Sequence, residues 1–339
     1  MTGGKFLVRI GWLALLVTVV LVVSAAYAWH WLHQPVVTQN AINYDVPRGA
    51  SANLIAQDLQ QAGWLAHPRI WAAWARAQGL SSKLRAGEYA LTPGMTPIAM
   101  LQLFTSGKVI LRSLTIIEGS TFANLRQVLA RRDDIEQSLR DISDAELMQM
   151  LDMPETHPEG QFFPDTYQFA KHSSDLEILR MARLRMQSEL SKAWQQRDDD
   201  LLIETPYEAL ILASIIEKET AKASERAQIA GVFMERLARN MMLQTDPTVI
   251  YGLGAGYDGN LRKSDLLRDG PYNTYTRAGL PPTPIAFPGA EALYAAVHPK
   301  RTGDIFFVAT GKGDGSHYFS STLKEHNAAV RRYLAAVRN

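Results

Sequence analysis

Thr205-Pro206-Tyr207-Glu208-Ala209-Leu210-Ile211-Leu212-Ala213-Ser214-Ile215-Ile216-Glu217-Lys218-Glu219-Thr220 opens with a helix signal and closes on charge. Thr205 and Glu208 are spaced as a capping box, with Pro206 at the first helical position. Residues 209–216 are apolar almost all round. A helix of that kind belongs in the middle of a domain, so a core is expected to be built around it. The charged end is open to two readings. One is a helix terminus emerging into solvent. The other is a buried carboxyl with chemistry to do.

Helix geometry separates the two glutamates. Glu217 and Glu219 are two apart, about 200° around the axis, so one cleft does not hold both easily. Glu219 lies above Leu212, Ile215 and Ile216, on the stripe of bulky residues. Glu217 lies above Leu210, Ala213 and Ser214, a stripe with smaller residues. A carboxyl against a large apolar wall loses solvation and its pKa rises, as a general acid near neutral pH requires. Spacing therefore favours Glu219 as the acid and leaves Glu217 for structural or supporting hydrogen bonds.

Three further stretches interleave amides, hydroxyls and aromatic rings. They are Leu243-Gln244-Thr245-Asp246-Pro247-Thr248-Val249, Tyr272-Asn273-Thr274-Tyr275-Thr276 leading to Gly279-Leu280-Pro281-Pro282, and Pro158-Glu159-Gly160-Gln161-Phe162-Phe163-Pro164-Asp165-Thr166-Tyr167. Sugars are bound by that mixture, rings stacking on C–H faces and amides bridging hydroxyls. Ordinary proline-rich loops are the plainer alternative.

The chain has 339 residues, enough for two or three domains, and a net charge of +1 that makes no case for nucleic acid. It has no cysteine, which excludes disulfides, cysteine nucleophiles and cysteine-ligated zinc. The eight histidines show no H-E-x-x-H pattern, and neither metal nor cofactor is expected. Gly311-Lys312-Gly313-Asp314-Gly315-Ser316 lacks phosphate-loop spacing and sits between two apolar aromatic runs, so a hairpin is expected there. His326 and Asn327 read as surface helix residues, with the cleft as the alternative.

Residues 10–29 carry no charge, enough to span a ~30 Å hydrocarbon core. Lys5 and Arg9 precede them, and no Lys or Arg follows until Arg48. The positive-inside rule then gives a short cytoplasmic tail and an exported body. Ala26-Tyr27-Ala28 has the form of a cleavage site, so a signal peptide is the rival; both readings export the body.

Beyond an expected linker a small pattern recurs: Val46…Gly49-x-Ser51…Ile55…Leu59, Leu91…Gly94-x-Thr96…Met100…Phe104, and Ile116…Gly119-x-Thr121…Leu125…Leu129. Each reads as strand, tight turn, Ser/Thr cap and amphipathic helix. A compact α+β module over about 43–112 follows, either a spacer or a glycan-binding module of LysM type. Residues 131–158 are expected to be charged and helical, and 174–198 a long amphipathic helix.

Glu159-Gly160…Phe163-Pro164-Asp165-Thr166-Tyr167, residues 213–220, Glu225-Arg226, residues 243–252 and Tyr272-Asn273-Thr274-Tyr275…Gly279-Leu280-Pro281-Pro282 together resemble the YceG-like (MltG) family of endolytic murein transglycosylases. Five ordered motifs carry the resemblance, over nearly the whole chain. One departure is visible: where the family commonly has Gly-Pro or Gly-Ala after Leu-Pro-Pro, this chain has Thr283-Pro284-Ile285. That puts the backbone of the loop in doubt, not the chemistry.

The resemblance implies an α+β protein. Its parts would be a tail and transmembrane anchor (1–33), a linker (34–42), a LysM-like module (43–112) and a mixed α/β catalytic domain (113–339). It implies a single-pass inner-membrane protein with a cytoplasmic N-terminus and periplasmic body. The implied substrate is peptidoglycan, cut non-hydrolytically between MurNAc and GlcNAc inside nascent strands to leave 1,6-anhydroMurNAc ends. The family's catalytic glutamate falls on Glu219, as the spacing also favours. Gln244, Asn273 and Tyr275 are expected along the glycan cleft, with Glu159 as a neighbour of the acid. Cell-wall synthesis or division proteins are the implied partner class.

Two rivals stand beside this reading. A non-catalytic peptidoglycan-binding scaffold fits the anchor and module equally well but has no use for a desolvated acid. A hydrolytic muramidase needs a second carboxylate about 5–9.5 Å from the first, and Asp246 is the candidate.

Overall fold

The structure is a computed structural model and describes residues 3–36 and 40–338. Residues 1–2 of the expected tail, the side chains of Lys5 and Arg9, and residues 37–39 of the expected linker lie outside the described residues. The fold is mixed α/β. The chain divides into two units, one of residues 1–112 with Phe169–His172, the other of Ser113–Gln168 with residues from Ser173 onward.

In chain order the first unit holds α1 (Gly3–His33), β1 (Ile42–Val46), α2 (Ala52–Gln61), α3 (Pro68–Ala77), β2 (Gly87–Leu91) and α4 (Pro97–Ser106). Within α1, Ile10–His33 is long and apolar enough to cross a membrane. Strands β1 and β2 pair antiparallel, Ile42 opposite Leu91 and Val46 opposite Gly87. Ile55, Leu59, Trp71, Tyr89 and Phe104 are fully buried between the strands and helices. The polar atoms of the buried rings find partners, as burial demands. Trp71 Nε1 donates to the Pro97 carbonyl at 2.8 Å and the Tyr89 hydroxyl to Arg85 O at 2.9 Å.

Strand β3 (Leu111–Thr115) and strand β4 (Thr166–Ala170) form a second two-stranded sheet. Between them lie α5 (Phe122–Ala130) and α6 (Asp144–Met150), the latter covering only part of the helix expected over 131–158. The three strand–turn–helix repeats are β1–α2, β2–α4 and β3–α5. In each, the glycine is left-handed (Gly49, Gly94, Gly119) and the Ser or Thr two residues on caps the helix (Ser51, Thr96, Thr121). A side chain larger than hydrogen would strain those turns, which is why glycine recurs there.

The second unit continues with α7 (Asp175–Gln195), α8 (Pro206–Glu219), α9 (Ala223–Ala238), α10 (Asp246–Leu253), α11 (Lys263–Leu267), α12 (Ala290–Val297), β5 (Phe306–Ala309), β6 (His317–Ser320) and α13 (Leu323–Arg338). Helix α8 is its centre. The capping box forms: Glu208 N donates to Thr205 Oγ1 at 3.2 Å and Thr205 N to Glu208 Oε2 at 3.0 Å. Residues 209–216 are all buried, against Ile229 and Phe233 of α9, Leu293 and Ala296 of α12, and Met186 of α7. Ser214 is the polar exception. Its hydroxyl donates to Ile211 O at 2.7 Å and accepts from Ile285 N at 3.0 Å, tying the 281–289 loop to the buried helix. Strands β5 and β6 are the antiparallel hairpin expected around the glycine-rich loop. His326 stacks on Phe306 of β5 at 4.9 Å.

Candidate active site

Glu219 is the last residue of α8. Thr220 turns to extended backbone and ends the helix. The residue is partly buried, and desolvation of its carboxyl is the largest influence on its ionisation, raising the pKa to about 7. The hydroxyl of Thr245 donates to Glu219 Oε1 and opposes the rise, while the nearby charge of Asp246 adds to it. Asp246 is exposed and accepts from the Tyr275 hydroxyl at 2.5 Å. Tyr275 is within electrostatic reach of both carboxyls, and burial pushes its phenol up. One protonatable carboxyl, one hydroxyl donor and one acid–phenol pair thus share the site.

The loop that presents Thr245 is heavily braced. Arg236 of α9 is buried, and its Nη1 donates to the carbonyls of Met242 at 3.0 Å and Leu243 at 3.1 Å and to Gln244 Oε1 at 3.1 Å. Its Nε donates to Ile305 O at 2.7 Å. Gln244 takes a left-handed backbone (φ 51°), a conformation that costs a non-glycine residue about 1–3 kcal/mol unless its surroundings hold it. Gln244 N donates to Thr274 O at 3.0 Å and Thr245 N to Thr274 Oγ1 at 3.1 Å. Thr248 and Thr274 share a hydrogen bond of 2.9 Å behind them. Thr245 is the N-cap of α10, yet its side chain makes no cap bond, because the hydroxyl is turned to Glu219.

The expected site residues separate into two groups. Glu219 meets the Thr245 hydroxyl and Tyr275 meets the neighbouring Asp246, while the side-chain oxygen of Gln244 is turned to Arg236. Asn273 lines a cavity beside α10, but its side-chain groups are taken up within its own loop. It is buried, its Nδ2 donates to the carbonyls of Asp265, Leu266 and Arg268 at 3.2, 3.1 and 2.6 Å, and its Oδ1 accepts from Tyr275 N. With those groups engaged it organises the loop that carries Thr274 and Tyr275. Glu159 is also buried, and its bonds go to Phe122 N at 3.0 Å and the Tyr251 hydroxyl at 3.1 Å rather than to Glu219. Glu217 points elsewhere than Glu219. It accepts from Gly289 N at 3.0 Å and pairs with Arg226 at 3.4 Å, which in turn pairs with Glu291.

Burial raises the pKa of Glu159 to about 7 against its hydrogen bonds. The folded-state value lies above the ordinary 4.5, so the folded protein holds this proton where an unfolded chain releases it. The associated stability is complete below about pH 4.5 and is lost as the pH rises through about 7. Glu159→Gln keeps an acceptor for Phe122 and Tyr251 and removes the titration. Its denaturation midpoint should fall less than the wild type's between about pH 5 and pH 7, by up to about 1.4 kcal/mol per unit. Parallel slopes would mean that Glu159 does not hold its proton.

A model of the YceG-like family matches residues 44–332. The chain belongs to that family. A Bacillus subtilis (strain 168) relative named endolytic murein transglycosylase is 32% identical over 316 residues, 88% of this chain and 86% of that protein. A relative of the same name from Streptococcus pneumoniae serotype 2 is 27% identical over 325 residues, 86% of this chain and 58% of its own length. A crystal structure of a yceG-like protein from Listeria monocytogenes has a TM-score of 0.51 at 29% identity, over 86% of this chain and 99% of that one.

Within this YceG-like chain the residue that sequence reading passed over is Thr245. Its only local signal is its place before Asp246-Pro247, which marks a helix start and says nothing of a carboxyl 26 residues away. The departure at Thr283 also finds a partner, since its hydroxyl shares a 2.8 Å hydrogen bond with Tyr272. Beside α10 opens a cavity of about 590 Å³ lined by Tyr257, Asn260, Arg262, Arg268 and Tyr272, a size typical of ligand sites. Among the described residues, no group of three or more His, Asp or Glu could hold a metal ion.

Proposed function

We propose that this chain is an endolytic murein transglycosylase with Glu219 as its acid and base. The observation that carries the reading is the desolvated Glu219 carboxyl, near pKa 7 and bonded by Thr245, at the end of a buried helix. Protonated Glu219 gives its proton to the glycosidic oxygen between MurNAc C1 and GlcNAc. The C1–O bond breaks and the GlcNAc hydroxyl leaves. Positive charge develops on the muramoyl ring, where the substrate's own N-acetyl group can stabilise it. The Glu219 carboxylate then takes the proton of the C6 hydroxyl as that oxygen bonds to C1. The anhydro ring closes and the acid is restored. The nucleophile is already in the substrate, so its effective concentration is high and no water enters.

On this reading Gln244, Tyr275 and the exposed carboxyl of Asp246 line the glycan path, which continues toward the cavity beside α10. Residues 1–33 anchor the chain in the inner membrane with its body in the periplasm. Residues 43–112 are a LysM-like module joined through 34–42, and 113–339 form the catalytic domain. Cell-wall synthesis or division proteins are the partner class.

The test is mass spectrometry of peptidoglycan digested by the full chain in detergent, beside Glu219→Gln. Anhydromuramoyl ends from the wild type alone support the lytic reading. Reducing ends would overturn it in favour of hydrolysis with Asp246 as the second carboxylate. Binding without cleavage by either protein would favour a scaffold.

The electrostatics make a paired prediction. Thr245→Val removes a bond to the carboxylate, so the pKa of Glu219 rises and the alkaline limb of activity moves up. Asp246→Asn removes a negative charge, so the pKa falls and the limb moves down. Shifts on the order of one pH unit in opposite directions are expected in rate–pH profiles. Shifts of the same sign would show that Glu219 is not the titrating acid.

A further inference from the structure

We infer that α3 lies in the membrane surface beside α1 and that the groove between them is filled by lipid acyl chains. The groove has a volume of about 1320 Å³ and is lined by Leu21, Ala25 and Trp29 on α1 and by Ile70, Trp74 and Ala77 on α3, with no charged side chain among its lining residues. The helix end beside it is fastened. Leu32 is buried in the core of this unit, the Trp29 and Trp74 rings meet edge to face at 5.7 Å, and Tyr27 OH is 2.9 Å from His67 Nε2.

Depth follows from the helix rise. At ~1.5 Å per residue, the uncharged residues 10–29 fill a ~30 Å hydrocarbon core, so residues 21–29 occupy its half nearer the body of this unit. A wall of the groove therefore lies at acyl-chain depth, and what packs beside it lies there too. The composition of α3 agrees. Arg69 and Arg76 are exposed beside the groove face formed by Ile70, Ala73, Trp74 and Ala77. An apolar face with a tryptophan, flanked by arginines, is the pattern of a helix lying in an interface, with cations at the level of lipid phosphates. Left in water, so large an apolar groove would be unfavourable. In this arrangement the first unit is seated on the bilayer rather than hung from a tether.

The inference rests on α1 crossing the membrane, and the experiment separates the two. The chain has no cysteine, so single cysteines can be spin-labelled without further change. Ala73→Cys and Ala77→Cys would be made in the full chain, in nanodiscs of phosphatidylethanolamine and phosphatidylglycerol. Leu16→Cys in the span serves as the lipid reference and Asp199→Cys as the water reference. Collision with oxygen is compared with collision with a water-soluble nickel chelate. Labels at 73 and 77 are expected on the Leu16 side of the midpoint between the references. Water-like values at both, with a lipid-like Leu16, overturn the seating alone. A water-like Leu16 overturns the span as well. Spin–spin broadening at 73 or 77 that grows with the number of chains per disc would put a second copy in the groove and also overturn the proposal.

Discussion

Glu219→Gln lowers the rate of strand cleavage by about 10²–10⁴-fold, the range expected for loss of a general acid. Gln is nearly isosteric, so the surroundings should stay in place and the acceptor for Thr245 is kept. On the proposed mechanism, what is lost is the proton that expels the leaving group and is returned from the C6 hydroxyl. The wild type should show its highest rates below about pH 7 and lose activity above it, since the acid must begin protonated and burial holds its pKa near that value. The variant's residual rate should lack this limb. Stability should move the other way. A carboxyl with a raised pKa opposes folding as it ionises, so above about pH 7 the variant should be no less stable than the wild type. Glu217→Gln is the contrast. It weakens the contacts to Arg226 and Gly289 and should lower stability while leaving the position of the limb unchanged. Cleavage by Glu219→Gln within tenfold of wild type would sink the assignment.

Gly231→Ala destabilises the second unit by about 3 kcal/mol or more, although alanine is the better helix former by ~1 kcal/mol. Gly231 is buried on α9, and a Cβ there would stand 2.1 Å from the carbonyl oxygen of Lys300 and 2.7 Å from its carbon. Backbone cannot rotate aside as a side chain can, so either the helix or the 298–304 segment must move. The same segment is held by Lys300 N donating to Ala227 O at 2.8 Å, and the shift would break that bond. The strain also lies near Arg236, one turn on, whose donors brace residues 242–244 beneath Thr245. The variant should therefore lose activity at temperatures where it is still folded. Chemical denaturation and rate measurements on the same preparation check both. A variant as stable as the wild type would show that the loop is not seated on α9.

The two effects differ in how much of them can be read before folding. The signal that singles out Glu219 is local. It needs only the helix period, the bulk of Leu212, Ile215 and Ile216, and the capping box at Thr205, all within sixteen residues of chain. The close approach at Gly231 involves Lys300, 69 residues further on, and no pattern around either residue announces it. The same contrast divides the residues expected to bind substrate. Tyr275 lies within electrostatic reach of the Glu219 carboxyl, whereas Gln244 gives its side-chain oxygen to Arg236. Asn273, equally polar in sequence, spends its amide on the carbonyls of its own loop. A polar side chain in a turn can face either way, and only the path of the backbone chooses.

By itself the amino-acid sequence determined what rests on short periods and composition: the uncharged span of residues 10–29, the three strand–turn–helix repeats with their Ser and Thr caps, and a buried α8 with an acid at its end. The tertiary structure alone decided that the Thr245 hydroxyl turns from capping α10 to the carboxyl of Glu219, that Arg236 braces the loop which brings it there, and that Glu159 is committed to Phe122 and Tyr251. The reason is physical. Caps, periods and spans are settled by neighbours along the chain, whereas the partner of a buried polar group is whichever distant segment the packing of the core brings against it.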